Sequence, residues 1–310
     1  MAVLSGAPEG HGGDVTDRSS DYKLLLERVT QQQCILFLGA AVHYPPPADS
    51  RFTYPEEHRP PLGAGLAQQL AAGCNFARDC RGEDVRNLQR VSLCYERDNG
   101  RNQLEQAIRK AVDENTKPSA AVRALAELPF PLVITTNYDT LFERALRRCE
   151  KEKEPHVGVY NPNRESRTPD YPVGQEPSVQ RPFLFKMHGD VNAPQSIVVT
   201  DEDYITFILR MNAAEGFHPL PETFLYKLSR CSTLFVGYSL LDYNLRLLFR
   251  TLRWKLDPAQ HPLSYSVDAD PDPLVSDVWT QANDFRFIVD DVWNFVPRLY
   301  RDVLGREMPV

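Results

Sequence analysis

Long apolar runs are missing from this sequence. A bilayer span needs ~20 consecutive apolar residues, and the longest runs here, such as Cys34 to Leu38, fall far short of that. Paired cysteines are missing too. The six cysteines, at 34, 74, 80, 94, 149 and 231, include no C-x-x-C, which argues against a structural zinc site. Cys34 and Cys231 lie in or beside apolar strand candidates, as buried free thiols do, and this usage fits a reducing compartment. Excess positive charge is absent as well: a formal charge of -7 argues against a broad nucleic-acid surface, though a local basic groove is compatible with that average. The opening "MAVLSGAPEGHGGDVTDRSSD" has no apolar signal core and reads as a disordered tail over residues 1–21. The expectation is a cytoplasmic protein that contacts neither membrane nor nucleic acid. With 42% hydrophobic and 25% charged residues, it has the balance of an ordinary soluble globular chain.

Short apolar runs at Cys34 to Leu38, Leu132 to Ile134, Phe183 to Phe185 and Leu234 to Val236 read as buried strands, and two of them lead straight into helical periodicity. After Asn137 the helix face is Leu141, Phe142, Ala145, Leu146 and Cys149; after Ser239 it is Leu241, Leu245, Leu248 and Leu252. Leu263 to Val267 and Phe285 to Val289 are further strand candidates, followed by a closing helix with Val292, Phe295, Val296, Leu299 and Val303. Continuous apolar strands alternating with helices predict an α/β fold, a doubly wound (Rossmann-like), mostly parallel sheet covered on both faces. About 62–128 the pattern is helical and too long for one crossover, so an inserted helical subdomain is expected there. Residues 151–181, rich in Pro, Asn and charge, read as a loop or lid. Thr200-x-x-Asp203 is a capping box opening a helix that buries Tyr204, Phe207, Ile208 and Met211.

In such a sheet, ligands bind beyond the C-terminal strand ends where strand order reverses. Four polar clusters fall at strand ends: Gly39-Ala40-Ala41, Thr136-Asn137-Tyr138-Asp139, His188-Gly189-Asp190 and Gly237-Tyr238-Ser239. Each alone is also explained as a capped turn, with Gly39 easing a tight bend, Asp139 capping a helix and His188 a satisfied core histidine. Four converging on one sheet edge make a candidate site. Asp242, in the first turn of its helix, reads as opposing the helix dipole. His43, His58, His156, His218 and His261 lie in loop-like stretches without a motif and are expected mostly at the surface.

"ILFLGAAV", "ITTNYD", "FKMHGD" and "LFVGYSLLDYNLRLLF" occur in the order and rough spacing of the sirtuin-like NAD-binding domain, which the chain resembles over about 30–300. The similarity is to the prokaryotic antiphage-defence branch, whose members look like NAD-degrading enzymes. The resemblance implies an NAD-binding domain over residues 22–61 and 129–310. It implies an NAD glycohydrolase (NADase) that releases nicotinamide and ADP-ribose, with NAD as substrate and no zinc. It assigns Asn137 and His188 catalytic roles: an Asn amide both donates to and accepts from a ribose hydroxyl or water, and a His accepts a proton near neutral pH. Asp139 and nearby backbone are implied at the nicotinamide carboxamide, with the helix cap an equally good reading. Gly39, Ala40, Ala41, Thr136, Gly237, Tyr238 and Ser239 complete the implied cofactor-binding set. Restraint of so toxic an activity implies a homo-oligomer, or a partner such as a motor ATPase or an Argonaute-type protein.

Two features depart from the family pattern. The first loop usually reads Gly-Ala-Gly-Val/Ile-Ser, whereas this chain has Gly39-Ala40-Ala41-Val42-His43, placing a methyl where backbone approaches phosphate or where φ is positive. That departure keeps open a non-catalytic NAD- or ADP-ribose-binding or assembly subunit. The second is that residues 189–232 hold only Cys231, so the four-cysteine zinc module of the protein deacylases is missing and deacylation ranks last.

Overall fold

The computed structural model describes residues 15–160, 175–211, 222–239, 262–281 and 285–310. The expected helix face after Ser239, with Asp242, lies outside them, as do His218, His261 and most of the N-terminal tail. Helix α1 (Val15–Thr30) takes up residues 15–21 of that tail and buries Leu25 and Val29.

Seven described strands form one parallel sheet. They are β1 (Cys34–Leu38), β2 (Leu132–Thr135), β3 (His156–Val159), β4 (Phe183–Lys186), β5 (Ser232–Val236), β6 (Ser264–Asp268) and β7 (Phe285–Val289), in the order β3-β4-β2-β1-β5-β6-β7. The chain leaves β1 toward β2 on one side and later returns to β5 on the other. Strand order therefore reverses around β1, and a crevice opens beyond its C-terminal end. The fold is the doubly wound α/β architecture expected from the sequence.

Alternate residues of these strands point to opposite faces. Leu36, Leu38, Val133, Leu184, Leu234 and Val236 pack beneath α1, α6 (Ala120–Glu127) and α7 (Leu141–Leu146). Ile35, Phe37, Ile134, Phe183, Phe185 and Phe235 pack beneath α8 (Asp201–Met211) and α9 (Glu222–Leu228). Helix α8 opens on the expected capping box: the Asp203 amide donates to Thr200 Oγ1 at 3.1 Å, and the Thr200 amide to Asp203 Oδ2 at 3.0 Å. Beyond β6 come α10 (Pro273–Thr280) and α11 (Val292–Leu304), whose Asp291 cap accepts from the amides of Trp293 and Asn294.

Between β1 and β2, helices α2 (Gly63–Ala71), α3 (Phe76–Asp79), α4 (Leu88–Asn99) and α5 (Arg101–Val112) share their own apolar cluster. It also takes in Tyr138, Val191, Ile197 and Val199, so these helices sit over the strand ends. Helix α6, the last of that stretch, packs on the sheet instead.

Strand β3 corrects the reading of 151–181 as loop or lid throughout. It is a short edge strand containing Gly158, which leaves room for the Phe183 ring: a β-carbon there would lie 2.6 Å from it. Just before it, the buried Lys153 amine donates to the carbonyls of Ala126 (2.7 Å) and Leu128 (2.8 Å). These carbonyls at the end of α6 lack helical partners.

Register brings the strand ends level. Lys186 pairs with Thr135, Thr135 with Leu38, and Leu38 with Val236. The chain leaves this rung of β1 and β5 at Gly39 and Gly237, which meet each other. The Gly39 amide donates to the Val236 carbonyl and the Ala41 amide to the Gly237 carbonyl, both at 2.9 Å. Gly237 has φ +78°, and a β-carbon there would collide with the backbone of Val42 and Gly39. Gly237→Ala is expected to cost about 1–3 kcal/mol from the left-handed backbone alone, read as a lower urea midpoint at unchanged slope.

Candidate functional site

Above the level rung lies a cleft of about 290 Å³. Its walls come from the first strand-end turn (Ala40, His43), the second (Thr136, Asn137, Tyr138, Asp139), the third (His188) and the fourth (Tyr238). The helical layer closes it with residues that include Leu66, Arg86, Leu88 and Gln89, and α8 contributes Tyr204. Six residues singled out from the sequence thus meet: Ala40, Thr136, Asn137, Asp139, His188 and Tyr238. Gly39, Ala41, Gly237 and Ser239 are not among the lining residues; the two glycines approach each other, and Ser239 is exposed. Ala41 has no positive φ, so its methyl meets no backbone penalty.

Tyr238 ties the strand ends together. Its hydroxyl donates to the Leu38 carbonyl at 2.9 Å and lies 2.9 Å from Thr136 Oγ1, while the Thr136 amide donates to it at 3.3 Å. Thr135 Oγ1 donates to the same Leu38 carbonyl at 2.8 Å and accepts from the Asn137 amide at 3.0 Å. The turn that carries Asn137 is thereby pinned to β1.

A second tie is the fully buried Lys186 at the end of β4. Its amine donates to the Tyr138 carbonyl (3.1 Å) and the Asp139 carbonyl (2.5 Å), and pairs with Glu143 Oε1 (3.1 Å) and Asp190 Oδ2 (2.8 Å). Burial pulls the amine down, but Glu143, Asp190 and Asp139 together hold it above its ordinary value. Burial pushes the Glu143 carboxyl up. One ammonium thus locks the Asn137 turn, helix α7 and the His188 turn into a single block.

His188 is buried, with its ring edge-on to Tyr204 and Phe207 and Nδ1 3.3 Å from the Tyr204 hydroxyl. Burial pushes its pKa down to about 3, so it is a neutral hydrogen-bonding group across the physiological range. This corrects the expectation of a histidine that takes up a proton near neutrality. The physical reason is that the imidazole has left water with no carboxylate beside it to favour the cation.

Asp139 performs two tasks. One oxygen accepts from the Leu141 amide at 2.8 Å, the helix-start role expected of it. The other lies 3.6 Å from His43 Nε2. Burial opposes its charge, but His43, Lys186 and the Leu141 amide outweigh that and hold the carboxyl below its usual range. His43, grouped by sequence with the surface histidines, is 4% exposed and lines the cleft, and neither ring nitrogen has a hydrogen-bond partner. At 3.6 Å its contact with Asp139 is longer than a formed hydrogen bond. Its signal was position: the 3₁₀ turn Ala40–His43 swings it back over the strand ends.

Two outcomes follow from the buried charges. Lys186→Met strands the Glu143 and Asp190 carboxylates and is expected to cost about 3–5 kcal/mol in denaturant titrations. An unfolded histidine gains its proton near pH 6.5, whereas folded His188 stays neutral to about 3. Its contribution to stability is therefore complete above that unfolded value and lost as pH falls from there toward 3. The slope approaches roughly 1.4 kcal/mol per pH unit. Urea midpoints across this window should fall less steeply for His188→Gln than for wild type.

The SIR2-like domain profile matches residues 131–288. The NAD(+) hydrolase ThsA of Enterococcus faecium is 30% identical over 183 residues, covering 57% of this chain and 34% of that protein. NAD(+) hydrolases ThsA of Acinetobacter baumannii and Bacillus cereus are 26% and 27% identical, covering 67% and 74% of this chain. The chain spans only 42% and 44% of those two. The matched profile takes in the Asn137 turn, the His188 turn and the Gly237 turn, and the chain belongs to the SIR2-like domain family.

Proposed function

We propose that this chain is an NAD glycohydrolase, and the observation that carries the reading is the meeting of Asn137, Asp139 and His188 in one cleft at the switch point of the sheet. The reaction breaks the bond between ribose C1′ and the nicotinamide nitrogen, whose electron pair returns to the ring. A water oxygen bonds to C1′, and its proton is released to the solvent. Because the leaving group is cationic in the substrate, little acid catalysis is required. The demand falls on stabilising an oxocarbenium-like ribose and aiming the water, as in glycosidases.

Asn137 is suited to aim that water, its amide serving as both donor and acceptor. His188, kept neutral, accepts a hydrogen bond from a ribose hydroxyl without placing a second positive charge beside the cationic sugar. Asp139, kept ionised, sets a negative charge in the wall where positive charge develops. Arg86 stands in the wall on the helical side, with its guanidinium paired to Asp84 at 3.0 Å. The names of the matched relatives support the same reaction, and the resemblance to the antiphage branch supports a role as a defence effector. Restraint of NAD loss in a cytoplasmic setting is assigned to self-assembly or to a partner protein, by analogy with that branch. Of the two departures that favour a subunit binding NAD without turnover, Ala41 lies outside the cleft lining and His43 lies in it.

Incubation of purified protein with NAD should release nicotinamide, and Asn137→Ala should lower the rate about 100-fold or more with folding retained. No release from the wild type in any assembly state, or equal release from Asn137→Ala, would defeat the reading.

A further inference from the structure

Away from the cleft, on the helical layer, two cysteines and a carboxylate converge, with a third cysteine nearby. Cys94 and Asp98 lie one turn apart on α4 and so share a face. Cys74 follows the end of α2, and Cys80 ends α3. The sulfurs of Cys74 and Cys94 and a carboxylate oxygen of Asp98 all lie within 4.8 Å of one another. Cys80 lies near Cys94 but outside that set of three.

We propose that Cys74, Cys94 and Asp98, with Cys80 as the fourth ligand, form a binding site for a thiophilic divalent cation of the zinc class. Tetrahedral zinc with bonds of about 2.3 Å to sulfur sets sulfurs roughly 3.8 Å apart, a modest contraction of the existing cluster. The ligands come from three segments rather than from a C-x-x-C pair, so no short motif announces them.

The surroundings fit this use. Asp98 Oδ2 accepts from the Asn75 amide (2.8 Å) and side chain (3.0 Å), which fixes the carboxylate. Arg97 donates to Asp98 Oδ1 at 2.8 Å and lies 3.6 Å from the Cys94 sulfur. With three thiolates and a carboxylate on a divalent cation the site is doubly negative, and Arg97 is the outer-shell charge that offsets it. Each thiol that binds loses its proton as its sulfur–metal bond forms, so loading releases protons and strengthens as pH rises.

The site joins the end of α2 to α4, and Leu66 of α2 with Leu88 and Gln89 of α4 line the cleft. Loading therefore staples one cleft wall.

The test uses the full chain, stripped with chelator under reductant, loaded with one equivalent of zinc or cadmium and desalted. The expected result is close to one retained cation per chain, a Tm raised by several degrees, and with cadmium an ultraviolet thiolate charge-transfer band. Cys94→Ser should lose both cation and band, whereas Cys149→Ser, which changes a thiol elsewhere, should keep them. Should Cys94→Ser fail to fold, Asp98→Asn serves instead, with an expected loss of affinity of about tenfold in chelator competition. No retained cation, no charge-transfer band, or variants that load like wild type would overturn the proposal.

Discussion

A buried ammonium is the constraint on which this site depends. Lys186 sits at the end of β4 with no access to solvent, and its protons reach two carbonyls of the Asn137 turn, a glutamate of α7 and an aspartate past His188. Taking a lysine and two carboxylates from water is costly, and is repaid only where every partner is in place. The consequence is mechanical: Asn137 and His188 ride on one rigid block. Tyr238 does the same on the other flank with neutral hydrogen bonds, joining the Asn137 turn to β1.

Within that frame, burial acts on two titratable groups with opposite results. Among the described residues nothing charged compensates the His188 imidazole, so desolvation leaves it neutral. Asp139 is just as enclosed, but His43, Lys186 and a helix-start amide keep it ionised. The cleft thus presents a neutral acceptor and a fixed negative charge without drawing on solvent. Such an arrangement suits a reaction that builds positive charge on a sugar.

Much of this was legible in the sequence. Buried strands announce themselves by continuous apolar runs, and the Thr200–Asp203 capping box behaves as its spacing predicts. Strand β3 escaped because "HVGV" is short, half-buried and glycine-containing, and its pairing depends on an aromatic ring from the neighbouring strand. His43 escaped because its burial comes from a 3₁₀ turn, which has no periodicity to read. The lysine of "FKMHGD" drew no reading from the sequence, because its partners lie 43 to 48 positions earlier as well as four later. The glycines were visible, but their reason was not: they make room for each other's backbone. Local patterns report which elements form, whereas these residues take their meaning from contacts between elements.

The level rung across Lys186, Thr135, Leu38 and Val236 carries a consequence for how such a protein can change. Each strand advances about 3.3 Å per residue and turns alternate side chains to opposite faces. Adding or deleting one residue within β4 would lift His188 out of line with Asn137 and turn it toward the other helical layer. The loops beyond the rung face no such arithmetic. Variation in length is therefore open to the connections that roof the cleft and closed to the strands that floor it.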